Sequence, residues 1–187
     1  MRYIPTVEAN GWVTKTTSEK GNKGIHCQRK FKEGVLMLER AIDTWDSPVL
    51  VSIVLTGSDI DTYNLFIHKL KRRLSDSSIM FEYKGCTESD KHKGQHQHFG
   101  WVVEADNFDN IFNSDDSAIS LTVASVQRLA PTFNVFVCNP QRYSTPFIPL
   151  TDDTLQDAAC YISYLYKQRS KMPGHKYMSS RAARTLH

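Results

Sequence analysis

The stretch "SIMFEYKGCTESDKHKGQHQHFGWVVEA", residues 78–105, decides how the chain folds. Its two ends, "SIMFEYKG" (78–85) and "HQHFGWVVEA" (96–105), read as strands, and the polar "CTESDKHKGQ" between them reads as a loop. Strands that follow one another with only a loop between are expected to pair as an antiparallel hairpin. The second strand opens on two histidines one residue apart, His96 and His98. Successive strand residues point to opposite faces, so both imidazoles project from one face and Gln97 from the other.

Upstream, "VLVSIVLT" (49–56) is a nearly continuous β-branched run, the pattern of a central strand buried on both faces. Before it, "EGVLMLERAIDTW" (33–45) has apolar residues at helical spacing and stops at Asp46-Ser47-Pro48. After it, "SDIDTYNLFIHKLKRRL" (58–74) opens on capping residues and gathers Tyr63, Phe66, Ile67, Leu70 and Leu74 on one helical face. Downstream, "AISLTVASVQRLA" predicts a helix before Pro131, and "FNVFVC" (133–138) a short strand. Thr151, Asp152 and Asp153 introduce a last helix through "TLQDAACYISYLYKQRSK", which Pro173-Gly174 stops. The order is helix, strand, helix, strand, strand, helix, strand, helix. With its adjacent antiparallel strands, this predicts an α+β fold, an antiparallel β-sheet flanked by helices, rather than a doubly wound parallel sheet.

The 187 residues suit a single domain spanning 1–187, with a polar, irregular or hairpin-like arm over 1–30 and a basic tail over 172–187. No apolar run approaches the roughly 18 residues that cross a bilayer, so no membrane partner is expected. The start "MRYIPTVEANGW" lacks the features of a secretory signal, which places the chain in the cytoplasm. Cys27, Cys86, Cys138 and Cys160 show no C-x-x-C spacing, which argues against a zinc knuckle or a disulfide scaffold. The net charge is only +3, but "KLKRR" (69–73), "KQRSK" (167–171) and "RAAR" (181–184) are clusters that could neutralise phosphates or simply be solvated surface.

Two histidines on one strand face can share a metal ion. If the loop 85–95 closes a symmetrical hairpin, Lys84 lies opposite His96 and Glu82 opposite His98, within the roughly 5 Å of a cross-strand pair, and Glu82 becomes a third ligand. Glu88 and His92 are reserve ligands on the loop, whereas Glu104 is about 20 Å along the strand from His98. Two imidazoles and a carboxylate suit Mn2+ or Mg2+ in phosphate chemistry, and imidazole also suits Zn2+. On the last helix, Tyr161, Tyr164 and Lys167 or Gln168 share a face, while Tyr166 points elsewhere. An ammonium one turn from a phenol can stabilise the charge that a phenol attacking a phosphodiester develops.

These pieces together resemble the HUH family of single-strand DNA endonucleases: rolling-circle replication initiators, relaxases and related transposases. The resemblance covers roughly residues 33–170 and rests on "VSIVLT", "HQH" and Tyr164-Leu165-Tyr166-Lys167 in the family's order, with filamentous-phage and plasmid initiators most similar. It implies that His96 and His98 hold a divalent metal with Glu82 as third ligand, that Tyr164 attacks the scissile phosphate, and that Lys167 assists. The products implied are a free 3′-hydroxyl and a 5′-phosphotyrosine link, on a single-stranded origin or hairpin. Gln97 departs from the family pattern, in which that position is hydrophobic, and Tyr161 is one turn from Tyr164 and could also act. No P-loop is present, so unwinding falls to another protein, a host helicase by the same resemblance. A non-catalytic single-strand-binding module, with Phe99 and Trp101 as stacking platforms, is the alternative. A cupin would need many short strands in place of these helices.

Overall fold

The computed structural model describes residues 6–9, 12–15, 28–90, 94–140, 142–166 and 177–180. In chain order the elements are strands β1 (Thr6–Ala9) and β2 (Trp12–Lys15), helix α1 (Gln28–Thr44), β3 (Pro48–Thr56), α2 (Ile60–Asp76), β4 (Phe81–Asp90) and β5 (Gly94–Glu104). Then come α3 (Ala118–Gln127), β6 (Asn134–Cys138), β7 (Ile148–Pro149), α4 (Leu155–Ile162) with a 3-10 turn over Ser163–Tyr166, and β8 (Tyr177–Ser179). Strands β1 and β2 form a small hairpin of their own, so the expected arm contains a hairpin and Gln28–Lys30 already belong to α1.

The remaining six strands make one antiparallel sheet in the order β6-β3-β5-β4-β8, with β7 paired to one end of β3. The expected α+β architecture of antiparallel sheet and helices is the one observed. β3 is central, and alternation along it feeds two cores. Val49, Val51, Ile53 and Leu55 pack with Tyr63, Phe66 and Leu70 of α2, and with Phe99 and Trp101 of β5. Leu50 and Val102 pack on the other face with Phe31, Val35 and Leu38 of α1 and with Ala158, Ala159 and Ile162 of α4. An uninterrupted apolar run is what a strand covered on both faces requires. Among the described residues no helix is long and apolar enough to cross a membrane.

The hairpin register differs from the symmetrical expectation. The strands continue through "CTESD" and pair as far as Asp90 with Gly94, so that Cys86 faces His98 and Glu88 faces His96. A polar composition had marked 86–95 as loop. Residues 86–90 belong instead to β4, whose alternate residues turn inward, and Gly94, whose φ of 66° suits glycine, opens β5. Glu82 consequently pairs with Val102, four residues along β5 from His98, and its carboxylate takes Arg40 Nη2 at 2.6 Å. The expectation that Glu82 is the third metal ligand is corrected on that ground.

Candidate metal centre

On the α1/α4 side of the sheet, cross-strand partners line up in rows. One row runs Lys84, Gly100, Ser52, Cys138; the next runs Cys86, His98, Val54, Phe136; the pair Glu88 and His96 follows. Helix α4 and its 3-10 turn lie over the first of these. Gly100 permits the approach, because a Cβ there would come within 3.3 Å of both Ile162 and Leu50. The turn passes above His98 at Tyr164, whose ring meets the imidazole edge-on with centroids 4.9 Å apart.

Glu88, His96 and His98 therefore converge. Glu88 Oε2 lies 3.6 Å from His96 Nε2 and 3.5 Å from His98 Nε2, and one ligand atom from each residue falls within 4.8 Å of the others. Ligand bonds of about 2.0–2.2 Å put neighbouring donors of one ion roughly 3–3.5 Å apart, so the spacing fits a shared cation after small adjustments. His96 is positioned by its other nitrogen: Nδ1 is 3.2 Å from the Gly94 carbonyl, and an N–H donated there leaves Nε2 with a lone pair toward the centre. The start of β5 is anchored from behind, where the Tyr63 hydroxyl of α2 donates to the Gln95 carbonyl at 2.7 Å. Glu88 is only 1 % exposed and His96 5 %. A buried carboxylate needs compensating partners, and two imidazoles or a cation supply them. This Glu/His/His group could hold a metal ion.

The three tyrosines part company here. Tyr164 Oη donates to Glu88 Oε2 at 3.3 Å, at the edge of the triad. Tyr161 lines the same cleft, of about 190 Å³, together with Ser52, Val54, His98 and Tyr164. Its hydroxyl is committed to the Cys138 carbonyl at 3.2 Å, and burial pushes the phenol up to about 12. Tyr166 turns away into the α1 core, with its ring 5.9 Å from Phe31 and 5.6 Å from Tyr177. Because Tyr161 ionises near 10 when unfolded, the fold favours its neutral phenol. The associated stability is complete below pH 10 and is lost as pH rises toward 12. Tyr161→Phe is expected to flatten this alkaline decline in a melting-temperature series above pH 9, and an unchanged slope would place the effect elsewhere.

Other expected residues fall as follows. Lys167, and with it "KQRSK", lies outside the described residues, as do "RAAR", His26, Cys27 and His92, whereas Tyr177–Ser179 of the expected tail form β8 against β4. Gln97 is fully buried on the α2 side, where its amide donates to Thr87 Oγ1 at 3.2 Å; this is how the reverse face accommodates it. Phe99 and Trp101 are fully buried among Tyr83 and Phe81, so neither presents a surface to a base. "KLKRR" lies on α2, across the sheet from the histidines; there Lys69 donates to Ser125, and Arg72 lies 3.8 Å from Asp76. Glu104, far from the triad as expected, accepts from the Asp46 and Ser47 amides. Glu88, expected only as a reserve ligand on the loop, is the carboxylate that joins the two histidines. Its signal was the parity it shares with Glu82 on a strand that runs longer than its composition suggests. No family model, no curated protein and no solved structure matches this chain.

Proposed function

We propose that this protein is a metal-dependent endonuclease of the HUH type, cutting single-stranded DNA with Tyr164 as nucleophile. The observation that carries the reading is the placement of a phenol hydroxyl 3.3 Å from a carboxylate that faces two imidazoles, beside a cleft. His96, His98 and Glu88 are the ligands. A divalent ion, Mn2+ or Mg2+, would when bound there supply positive charge to the scissile phosphate. Imidazole nitrogens accommodate Mn2+ more readily than Mg2+, which makes Mn2+ the first ion to try.

The chain's own groups do the rest. The 3-10 turn and the His98 ring hold Tyr164 over the site, so attack is a positioned, intramolecular-like event. The phenol oxygen bonds to phosphorus, the bond from phosphorus to the 3′-oxygen breaks, and the phenolic proton ends on the 3′-hydroxyl. The number of phosphodiester bonds is conserved, so a 3′-hydroxyl can reverse the step and reseal the strand. Such chemistry suits the initiation of rolling-circle replication of a phage or plasmid, at a single-stranded origin or hairpin opened by a host helicase. Lys167, one position beyond the described turn, is assigned the supporting charge. The test is incubation with single-stranded oligonucleotides and Mn2+: a slower-migrating protein band after denaturation is expected, and cutting without an adduct would replace the mechanism by hydrolysis.

A further inference from the structure

Of the exposed large apolar side chains among the described residues, Phe136 is the one that stands on a strand. It is 51 % exposed on β6, the edge of the sheet. Its row places it on the histidine face, with Val54 between it and His98. Two interstrand steps of about 4.8 Å put it roughly 10 Å from His98, a span that a few unpaired nucleotides cover. The surface between is continuous with the metal centre and belongs to the cleft lined by Ser52, Val54, Tyr161 and Tyr164. On either side of Phe136, Val135 and Val137 pack into the opposite core, so the backbone that presents the ring is fixed.

We propose that Phe136 is a stacking platform for an unpaired base of the same DNA strand whose phosphate lies at the Glu88–His96–His98 centre; this rests on the nuclease reading. A ring held on a rigid strand loses little freedom when a base stacks on it, and every base has a face to offer. The polar demands of a strand are met at the metal centre, and the apolar demand of its neighbouring base is met at the sheet edge. The platform therefore sets which nucleotides flanking the cut must be unpaired, since a base in a duplex cannot lie flat on the ring. Phe99 and Trp101, being buried, cannot take this role.

The experiment compares the full chain with Phe136→Ala and Phe136→Trp for binding of a short oligothymidylate and of an abasic oligomer of the same length. Phe136→Ala is expected to weaken oligothymidylate binding roughly 5- to 150-fold. Its affinity for the abasic oligomer and for Mn2+ should match the parent's, and Phe136→Trp should restore the base-dependent part. Equal oligothymidylate affinity in Phe136→Ala and the parent overturns the platform alone and leaves the nuclease reading standing. A parent chain that binds neither oligomer overturns both. If Phe136→Ala instead turns a dimer into a monomer in sedimentation without changing oligothymidylate affinity, the face belongs to a second copy of the chain and the platform is likewise overturned.

Discussion

Tyr164→Phe is expected to abolish the covalent protein–DNA adduct and to lower strand cleavage by at least about a thousandfold, because no other described group offers an oxygen nucleophile at the triad. The phenylalanine keeps the ring against His98, so melting temperature and Mn2+ affinity should stay near the parent values. Tyr166→Phe should retain the adduct, since that side chain packs against Phe31 in the α1 core. Tyr161→Phe should retain it as well, because the Tyr161 hydroxyl is held at the Cys138 carbonyl and burial keeps it a phenol to about pH 12. Peptide mass spectrometry should find the nucleotide on the segment "YISYLYK". Loss of the adduct in Tyr161→Phe alone would move the nucleophile one turn back, and cleavage with all three tyrosines replaced would exclude a covalent route.

His96→Ala, His98→Ala and Glu88→Ala should each weaken Mn2+ binding by more than about 100-fold in calorimetric titration and remove cleavage with it; losing only a group that hydrogen-bonds a ligand commonly costs about 10- to 100-fold. The discriminating variant is Glu82→Ala. Its carboxylate is engaged by Arg40 rather than by the histidines, so Mn2+ affinity should be unchanged while stability falls by about 1 kcal/mol, the modest worth of a partly exposed ion pair. Should Glu82→Ala lose the metal and Glu88→Ala keep it, the hairpin register described above is wrong. Glu88→Gln separates charge from shape, because it keeps the volume of a buried side chain that is 1 % exposed and removes the anion a cation needs.

The secondary structure was legible wherever periodicity was strong. The run 49–56 announced a central strand, and the spacing of Tyr63, Phe66, Ile67, Leu70 and Leu74 announced the face that α2 buries. The same-face projection of His96 and His98 followed from strand geometry alone, and the separation of Tyr166 from Tyr161 and Tyr164 from helical spacing. The extent of the last helix was less legible, since α4 gives way to a 3-10 turn at Ser163. Tertiary contact decides that point: the turn carries Leu165 and Tyr166 into the α1 core while setting Tyr164 over His98.

By itself, then, the sequence determined an antiparallel sheet with helices, a pair of imidazoles on one face, and a tyrosine-bearing helix, because each of these depends on local repeats of period 2 or 3.6. What only the tertiary structure decided was which groups meet. Register is a property of two strands together, and a shift of the turn from 85–95 to Asp90–Gly94 exchanges Glu82 for Glu88 without altering any local pattern. Likewise the helical face of "KLKRR" gave no sign of which side of the sheet it would cover. That choice was made by packing against Val51, Ile53 and Trp101, and it carries the basic cluster away from the centre that Glu88, His96, His98 and Tyr164 build.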